Sequence, residues 1–255
     1  MPDADMLARI RRFETSTFPQ YEQTYRKLVA EGQHPSTLFI GCSDSRIVPY
    51  LLMDCGPGEL FIVRNVGNIV PPDEGDSGHH GTAAAIEFAL LGLGVRNIVV
   101  CGHSHCGAIR SLYVEPPEAA THLRRWLDFA RPAALPVQEC DDVLRRVEQR
   151  SVVLQLEHLL GYALVRDRVA AGTLFLHGWH YLIDEGRILV FDFSTGRFVP
   201  HERAASPAPC DTPEGDPALD GSPASHDATE TRVRISPIEM DTAHWGNRPA
   251  DWTGS

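Results

Sequence analysis

The chain has 255 residues, is 43% hydrophobic and carries a formal net charge of −11, which is length enough to bury one full core and leave an appendage. Ten Asp and Glu stand against four Arg and no Lys in the last 55 residues, and nucleic acid is not an expected partner because binding it needs clustered Lys and Arg to displace counterions. The apolar runs are too short or too interrupted for the roughly 20 residues that span a bilayer, and "MPDADMLARIRRFE" lacks the apolar core of a secretory signal, so a cytoplasmic protein is expected.

In chain order, residues 3 to 30 place Leu7, Ile10, Phe13, Phe18, Tyr21, Tyr25 and Leu28 at mostly helical spacing, interrupted near Pro19. This predicts an N-terminal helical arm, 1–33, of the kind that packs on a neighbour. From Ser36 the pattern changes to short apolar strands, "STLFIGC", "ELFIVRN" and "NIVVCGH", separated by loops or by the helix-like "GTAAAIEFALLGLG". Strand, helix, strand repeats imply a parallel sheet with crossover helices. Residues 150 to 171 then set Val152, Leu156, Leu159, Leu160 and Ala163 on one helix face, with Gly172 in the C-cap position. "TLFLHGWHYLI", "DEGR" and "ILVFDF" read as two strands joined by a turn, and the core ends near Pro200.

The expected architecture is α/β: a central, mostly parallel sheet flanked by helices over residues 34–200, with the arm before it. Residues 201–255 form an acidic linker and tail, rich in Pro, Ala and Ser, whose first half has too few large apolar residues to offset the entropy of ordering. Its last piece regains Val233, Ile235, Ile238, Met240, Trp245 and Trp252, a segment that can dock onto the core or a partner.

Six cysteines (42, 55, 101, 106, 140 and 210) in an intracellular chain of this size argue for metal binding or plain burial rather than a disulfide framework. Cys42 closes an apolar strand and is followed by Ser-Asp-Ser-Arg. In "VVCGHSHCGAI" a second strand ends at Gly102, and His103 and Cys106 follow at i,i+3 spacing where a helix should start, so both can face one point. The carboxyl ends of parallel strands are where crevices form, and two thiolates with one imidazole suit zinc while leaving a fourth position open, as in catalytic sites. A water held there becomes a source of hydroxide near neutral pH. Asp44 can then accept the hydroxide's hydrogen bond, and Arg46 can hold that carboxylate off the metal by a bidentate pair.

Other readings explain less. A structural zinc module would close the site with a fourth donor. A zinc deaminase would show His-x-Glu and Pro-Cys-x-x-Cys. A Cys106 nucleophile paired with His103 would leave Cys42, Asp44 and Arg46 without a role. His79, His80 and His105 read as loop or helix-start residues.

These residues resemble the β-class carbonic anhydrases. The two signatures of that family, Cys-Ser-Asp-Ser-Arg and Gly-His-Ser-x-Cys-Gly, stand complete at Cys42 to Arg46 and Gly102 to Gly107. "PGELFIVRNVGNIVPP", "GTAAAIEFAL" and "LFLHGWHYLIDEGRILVFD" are similar to its connecting and terminal segments. The resemblance implies one Zn2+ per subunit held by Cys42, His103 and Cys106, with Asp44 and Arg46 as a catalytic dyad and Asp44 on the metal only in a closed form. It implies reversible hydration of CO2 to bicarbonate and a proton by zinc-bound hydroxide, in a homodimer or an assembly of dimers. Two thiolate donors should raise the water's pKa relative to a three-histidine site, so activity should favour alkaline pH.

Gln33 matches the plant-type glutamine that reaches across a dimer, while Phe61, Val66 and the Gly107 backbone match the CO2 pocket. Phe88 stands where that group has tyrosine. Phe39 stands where the bicarbonate-inhibited subclass has a tryptophan working with counterparts of Arg64 and Tyr181, which implies an open site with water as fourth ligand. CS2 and COS hydrolases share the zinc site and are the alternative enzymatic reading. The tail resembles those of carboxysomal relatives, implying a scaffold or shell protein as partner and a location inside a carboxysome.

Overall fold

In the computed structural model, residues 4–73 and 80–203 are described. The arm is one nearly continuous helical rod: α1 (Ala4–Arg12), a π-helical turn (Phe13–Thr17) and α2 (Phe18–Glu31). Pro19 shifts the hydrogen bonding and does not end the helix. A proline ring in a regular helix clashes with the carbonyl four residues back; here the ladder widens just before it, with the Phe18 amide donating to Phe13 O five residues away. Met6, Leu7, Ile10, Phe13, Tyr21, Tyr25 and Val29 are exposed on this rod.

The six-stranded sheet runs in the order β2-β1-β3-β4-β5-β6. β1 (Thr37–Cys42), β2 (Leu60–Asn65), β3 (Asn97–His103) and β4 (Phe175–Leu182) are parallel; β5 (Arg187–Asp192) and β6 (Arg197–Pro200) continue the sheet antiparallel. The expected mostly parallel sheet is present, with β6 as an added strand. β1 is buried at all six residues because it lies inside the sheet and both faces are covered. Alternation sends Leu38 and Ile40 to one core with Ile98 and Val100, and Phe39 to the other with Val99 and Cys101.

Short helices α3 (Pro49–Leu52) and α4 (Gly81–Glu87, extended by a π-helical turn, Phe88–Gly92) follow β1 and β2; α5 (Gly107–Arg110) and α6 (Thr121–Asp128) follow β3. Two helices, α7 (Asp141–Gly161) and α8 (Ala163–Ala170), replace the single helix expected over 150–171. The break falls at Tyr162, whose backbone is extended and whose hydroxyl donates to Pro71 O at 2.8 Å. Turning that ring into the core leaves Leu160 half-buried and Ala163 exposed. Gly172, at φ +68°, closes α8 in the left-handed conformation that glycine adopts without strain.

α7 lies directly on the sheet. A Cβ added to Gly102 would stand 2.6 Å from Val152, and one added to Gly178 would stand 2.9 Å from Leu156. Only glycine at those two strand positions permits this approach, and it brings α7 under the end of β3. No helix among the described residues is long and apolar enough to cross a membrane. The linker and tail, 201–255, lie almost wholly outside the described residues, as does His79.

Candidate metal centre

Parallel register brings three donors to one end of the sheet. Cys42 is the last residue of β1 and His103 the last of β3. The expected helix start at His103 lies three residues further on: a turn through Ser104 and His105 intervenes, and Cys106 is the N-cap of α5. His105 takes φ +58° there. Cys42 Sγ, a ring nitrogen of His103 and Cys106 Sγ all lie within 4.8 Å of one another, and all three residues are buried.

The chemistry of this set fits a soft divalent cation. His103 Nδ1 lies 2.9 Å from the carbonyl oxygen of Ser104, which can only accept, so the ring proton sits on Nδ1 and Nε2 presents its lone pair. Nε2 is buried without a hydrogen-bond partner among the described residues. A buried acceptor so placed is costly unless a ligand takes it. The two thiols pull apart: the hydrogen bond from Cys106 holds Cys42 well below the usual thiol range, and the same contact, with burial, pushes Cys106 up. Without a cation one sulfur keeps its proton; with one, both can ionise. The Gly67 amide points at Cys42 Sγ from 3.4 Å, favouring the thiolate.

Asp44 stands beside the cluster, Oδ2 4.0 Å from His103 Nε2, yet both its oxygens are engaged. Arg46 donates from its backbone amide and Nε to Oδ1 at 3.0 and 2.8 Å, and from Nη2 to Oδ2 at 2.7 Å. That side-chain pairing holds the Asp44 carboxyl far below the usual carboxylate range. Arg46 Nη2 also reaches His105 O at 3.0 Å, tying the β1 loop to the β3 turn.

The remaining residues singled out from sequence divide into two groups. Gly107 follows Cys106 as the first residue of α5, with open space where a Cβ would be. Val66 is exposed on the loop after β2, and its carbonyl accepts from Trp126 Nε1 at 2.7 Å. Phe61 and Phe88 pack together, ring centroids 5.6 Å apart, but in register Phe61 pairs with Leu38 while Cys42 pairs with Asn65. At about 3.3 Å per residue they sit roughly 13 Å along the strands from the cluster in the same chain. Gln33 lies exposed between α2 and β1. Phe39 is fully buried, edge-on to Trp179.

Three contributors carry little sequence signal. Arg64 donates to Cys42 O at 3.0 Å and Asp44 O at 2.7 Å, bracing the loop. Gly67 supplies the amide to sulfur. Glu148 accepts from the Cys106 amide at 3.1 Å. Each acts through or upon the backbone, so no side-chain spacing announces it.

An α/β enzyme with a two-thiolate, one-imidazole metal centre at the carboxyl edge of a parallel sheet is the class these observations define. The family model described as "Carbonic anhydrase" matches residues 37–188. A carbonic anhydrase of Helicobacter pylori strain J99 is 35% identical over 201 residues, covering 74% of this chain and 90% of that protein. One of Synechococcus elongatus is 38% identical over 192 residues, covering 72% and 70%. The solved β-carbonic anhydrase CcaA superposes with a TM-score of 0.71 at 35% identity, over 77% of this chain and 90% of its own. A structure reported for two tetrameric enzymes from Sordaria macrospora superposes at 0.64 and 28% identity, over 76% and 96%. The chain belongs to the β-class carbonic anhydrase family. Carbonic anhydrase activity and a zinc cofactor come with that membership.

Proposed function

We propose that the protein hydrates CO2 reversibly to bicarbonate and a proton at a zinc ion held by Cys42, His103 and Cys106, with Asp44 and Arg46 as the working dyad. The observation that carries this reading is the position of Asp44: beside the three donors, but tied on both oxygens by Arg46. Zinc bound there supplies a Lewis acid that makes hydroxide available near neutral pH. Held off the metal, the Asp44 carboxylate can only accept, so it orients the attacking oxygen by taking that oxygen's hydrogen in a hydrogen bond. Arg46 fixes the carboxylate's direction and keeps it ionised. His103 and Cys106 define one wall of the site, and the buried Cys42 defines another. A closed form, with Asp44 on the metal, requires breaking its pair with Arg46.

The substrate pocket is completed between chains. Phe61, Phe88 and Gln33 lie too far along their own chain to line its centre, whereas Val66 and Gly107 lie next to it. A neighbouring copy packed on the exposed edge strand β2 brings the first three to the open position. The exposed apolar rod of the arm supports such a dimer, and so does the tetrameric state named for the Sordaria enzymes. The domains divide accordingly into arm 1–33, catalytic domain 34–200 and tail 201–255. The absence of a disulfide among the five described cysteines fits a reducing cytoplasm.

Stopped-flow CO2 hydration with a pH indicator, on protein of measured zinc content from acidic to alkaline pH, tests the reading. Rapid zinc-dependent hydration that rises with pH is expected. Near-zero hydration at full zinc occupancy and alkaline pH overturns it and directs attention to CS2 and COS.

A further inference from the structure

The turn that carries Cys106 is held from behind by a buried acid. Glu148 on α7 is 4% exposed. Its Oε1 accepts from the Cys106 amide at 3.1 Å, and its Oε2 lies 3.2 Å from Nε2 of His180, which is wholly buried on β4. Removing such polar groups from water is costly, and apolar residues of similar volume commonly serve a core as well or better. Packing alone therefore does not account for the pair.

Its place in the fold does. His180 sits opposite Gly102 in register, and α7 rests on that glycine, with the Glu148 carbonyl 3.7 Å from where a Cβ would be. The acid is thereby set under the turn between β3 and α5. That turn needs holding, because His105 is a non-glycine residue in the left-handed region, a conformation that persists only when its surroundings impose it. Ser104 supplies part of the hold: its amide donates to Tyr181 O at 2.9 Å and its hydroxyl accepts from the Ile183 amide at 2.9 Å. Those bonds fix the near side of the strained residue. Glu148 fixes the far side, at Cys106 itself.

We propose that Glu148, oriented by His180, is a positioning residue that grips the Cys106 amide and so aims the Cys106 thiolate at the metal. The inference rests on the reading of Cys42, His103 and Cys106 as the zinc site. Outer partners of this kind are typically worth 10–100-fold in metal affinity. A cleft lined by Ser104, His105, Asp141, Asp142, Leu144 and Arg145 reaches Glu148 from solvent. Water can therefore fill the space left when the carboxylate is cut away, and Glu148→Ala need not leave a dry void.

The test uses full-length holoprotein. Zinc transfer to a competing chelator gives the affinity, and the thiolate-to-metal absorption band of the Co2+-substituted protein reports how the sulfurs meet the ion. Glu148→Ala is expected to weaken zinc retention by about 10–100-fold and to alter the cobalt band. Glu148→Gln keeps an acceptor for the Cys106 amide. His180 Nδ1 has no partner among the described residues, so the imidazole can move its proton there and accept from the new amide without losing a bond. Its zinc retention and cobalt band are expected close to those of the parent. His180→Phe should fall between, and adding it to Glu148→Ala should cost nothing further, since His180 acts only through Glu148.

A folded Glu148→Ala with the parent's zinc affinity and cobalt band overturns the proposal. So does a Glu148→Gln that loses zinc as fully as Glu148→Ala. If Glu148→Ala fails to fold, Glu148→Gln and His180→Phe carry the test. A parent chain that binds no zinc would instead remove the reading of the site on which the inference stands.

Discussion

The ends of β1 and β3 both deliver a thiol to the same point, and they are built in opposite ways. The loop after β1 faces solvent: Ser43, Ser45 and Arg46 are exposed, and charged groups set its shape, Arg46 gripping Asp44 and Arg64 gripping the backbone at Cys42 and Asp44. The turn after β3 is buried apart from His105, and neighbouring elements hold it through Ser104, Tyr181, Ile183 and Glu148. A group that must meet a substrate and orient its attacking oxygen belongs on the wet side, where its bonds can rearrange. A ligand that must not move belongs in the dry one, where polar bonds are strong and displacement leaves them unpaired.

If that division is right, damage to the two ends should differ in kind. His103→Ala or Cys106→Ser should abolish both zinc content and CO2 hydration, as should chelation, with zinc restoring activity only to the chelated parent; metal analysis beside stopped-flow assay decides it. Asp44→Asn should keep its zinc while hydration falls by ~10²–10³-fold, the range for one lost preorganised hydrogen bond at the reacting oxygen. Zinc loss in Asp44→Asn would show that the wet loop, too, is needed to hold the metal.

A smaller effect probes the floor beneath the β3 turn. Gly102→Ala would press a methyl to 2.6 Å from Val152, and overpacking of that kind costs about 1–3 kcal/mol. Denaturant unfolding should show the loss, and an unchanged midpoint would mean that α7 can shift off the strand without cost.

The smallest effect concerns the far end of the same helix. Burial, with Asp73 and Glu87 nearby, raises the Tyr162 hydroxyl from its ordinary 10 to about 12. With the folded value above the unfolded one, the group's contribution is fully present below pH 10 and is lost as pH rises through about 12. Tyr162→Phe should therefore be less stable near neutrality by ~1 kcal/mol, the worth of the hydroxyl's bond to Pro71, and should lack the parent's extra decline between pH 10 and 12. Parallel curves would place the tyrosine outside the core.

Much of this arrangement is legible in one dimension. Strand ends at Cys42 and near Gly102 follow from apolar runs meeting small polar residues, and Asp44 and Arg46 sit close enough in sequence to pair without knowledge of the fold. The helix break at Tyr162 is not legible, because the periodicity of α7 continues through it and only a carbonyl 91 residues away turns the ring inward. Nor is the π-turn before Pro19, where local strain has two solutions and the chain takes the milder.

The sequence by itself determined the donor types, their order, and the strand and helix pattern that makes a parallel sheet, because those are set by local periodicity and by spacing within a few residues. Only the tertiary structure decided what surrounds them. The buried Glu148 behind Cys106, the Arg64 brace, the amide of Gly67 at sulfur and the separation of Phe61 and Phe88 from their own centre all depend on contacts between residues far apart in the chain. No local rule encodes such contacts, since the register of β1 against β2 and β3, and the seat of α7 on two glycines, are fixed only when the whole core packs.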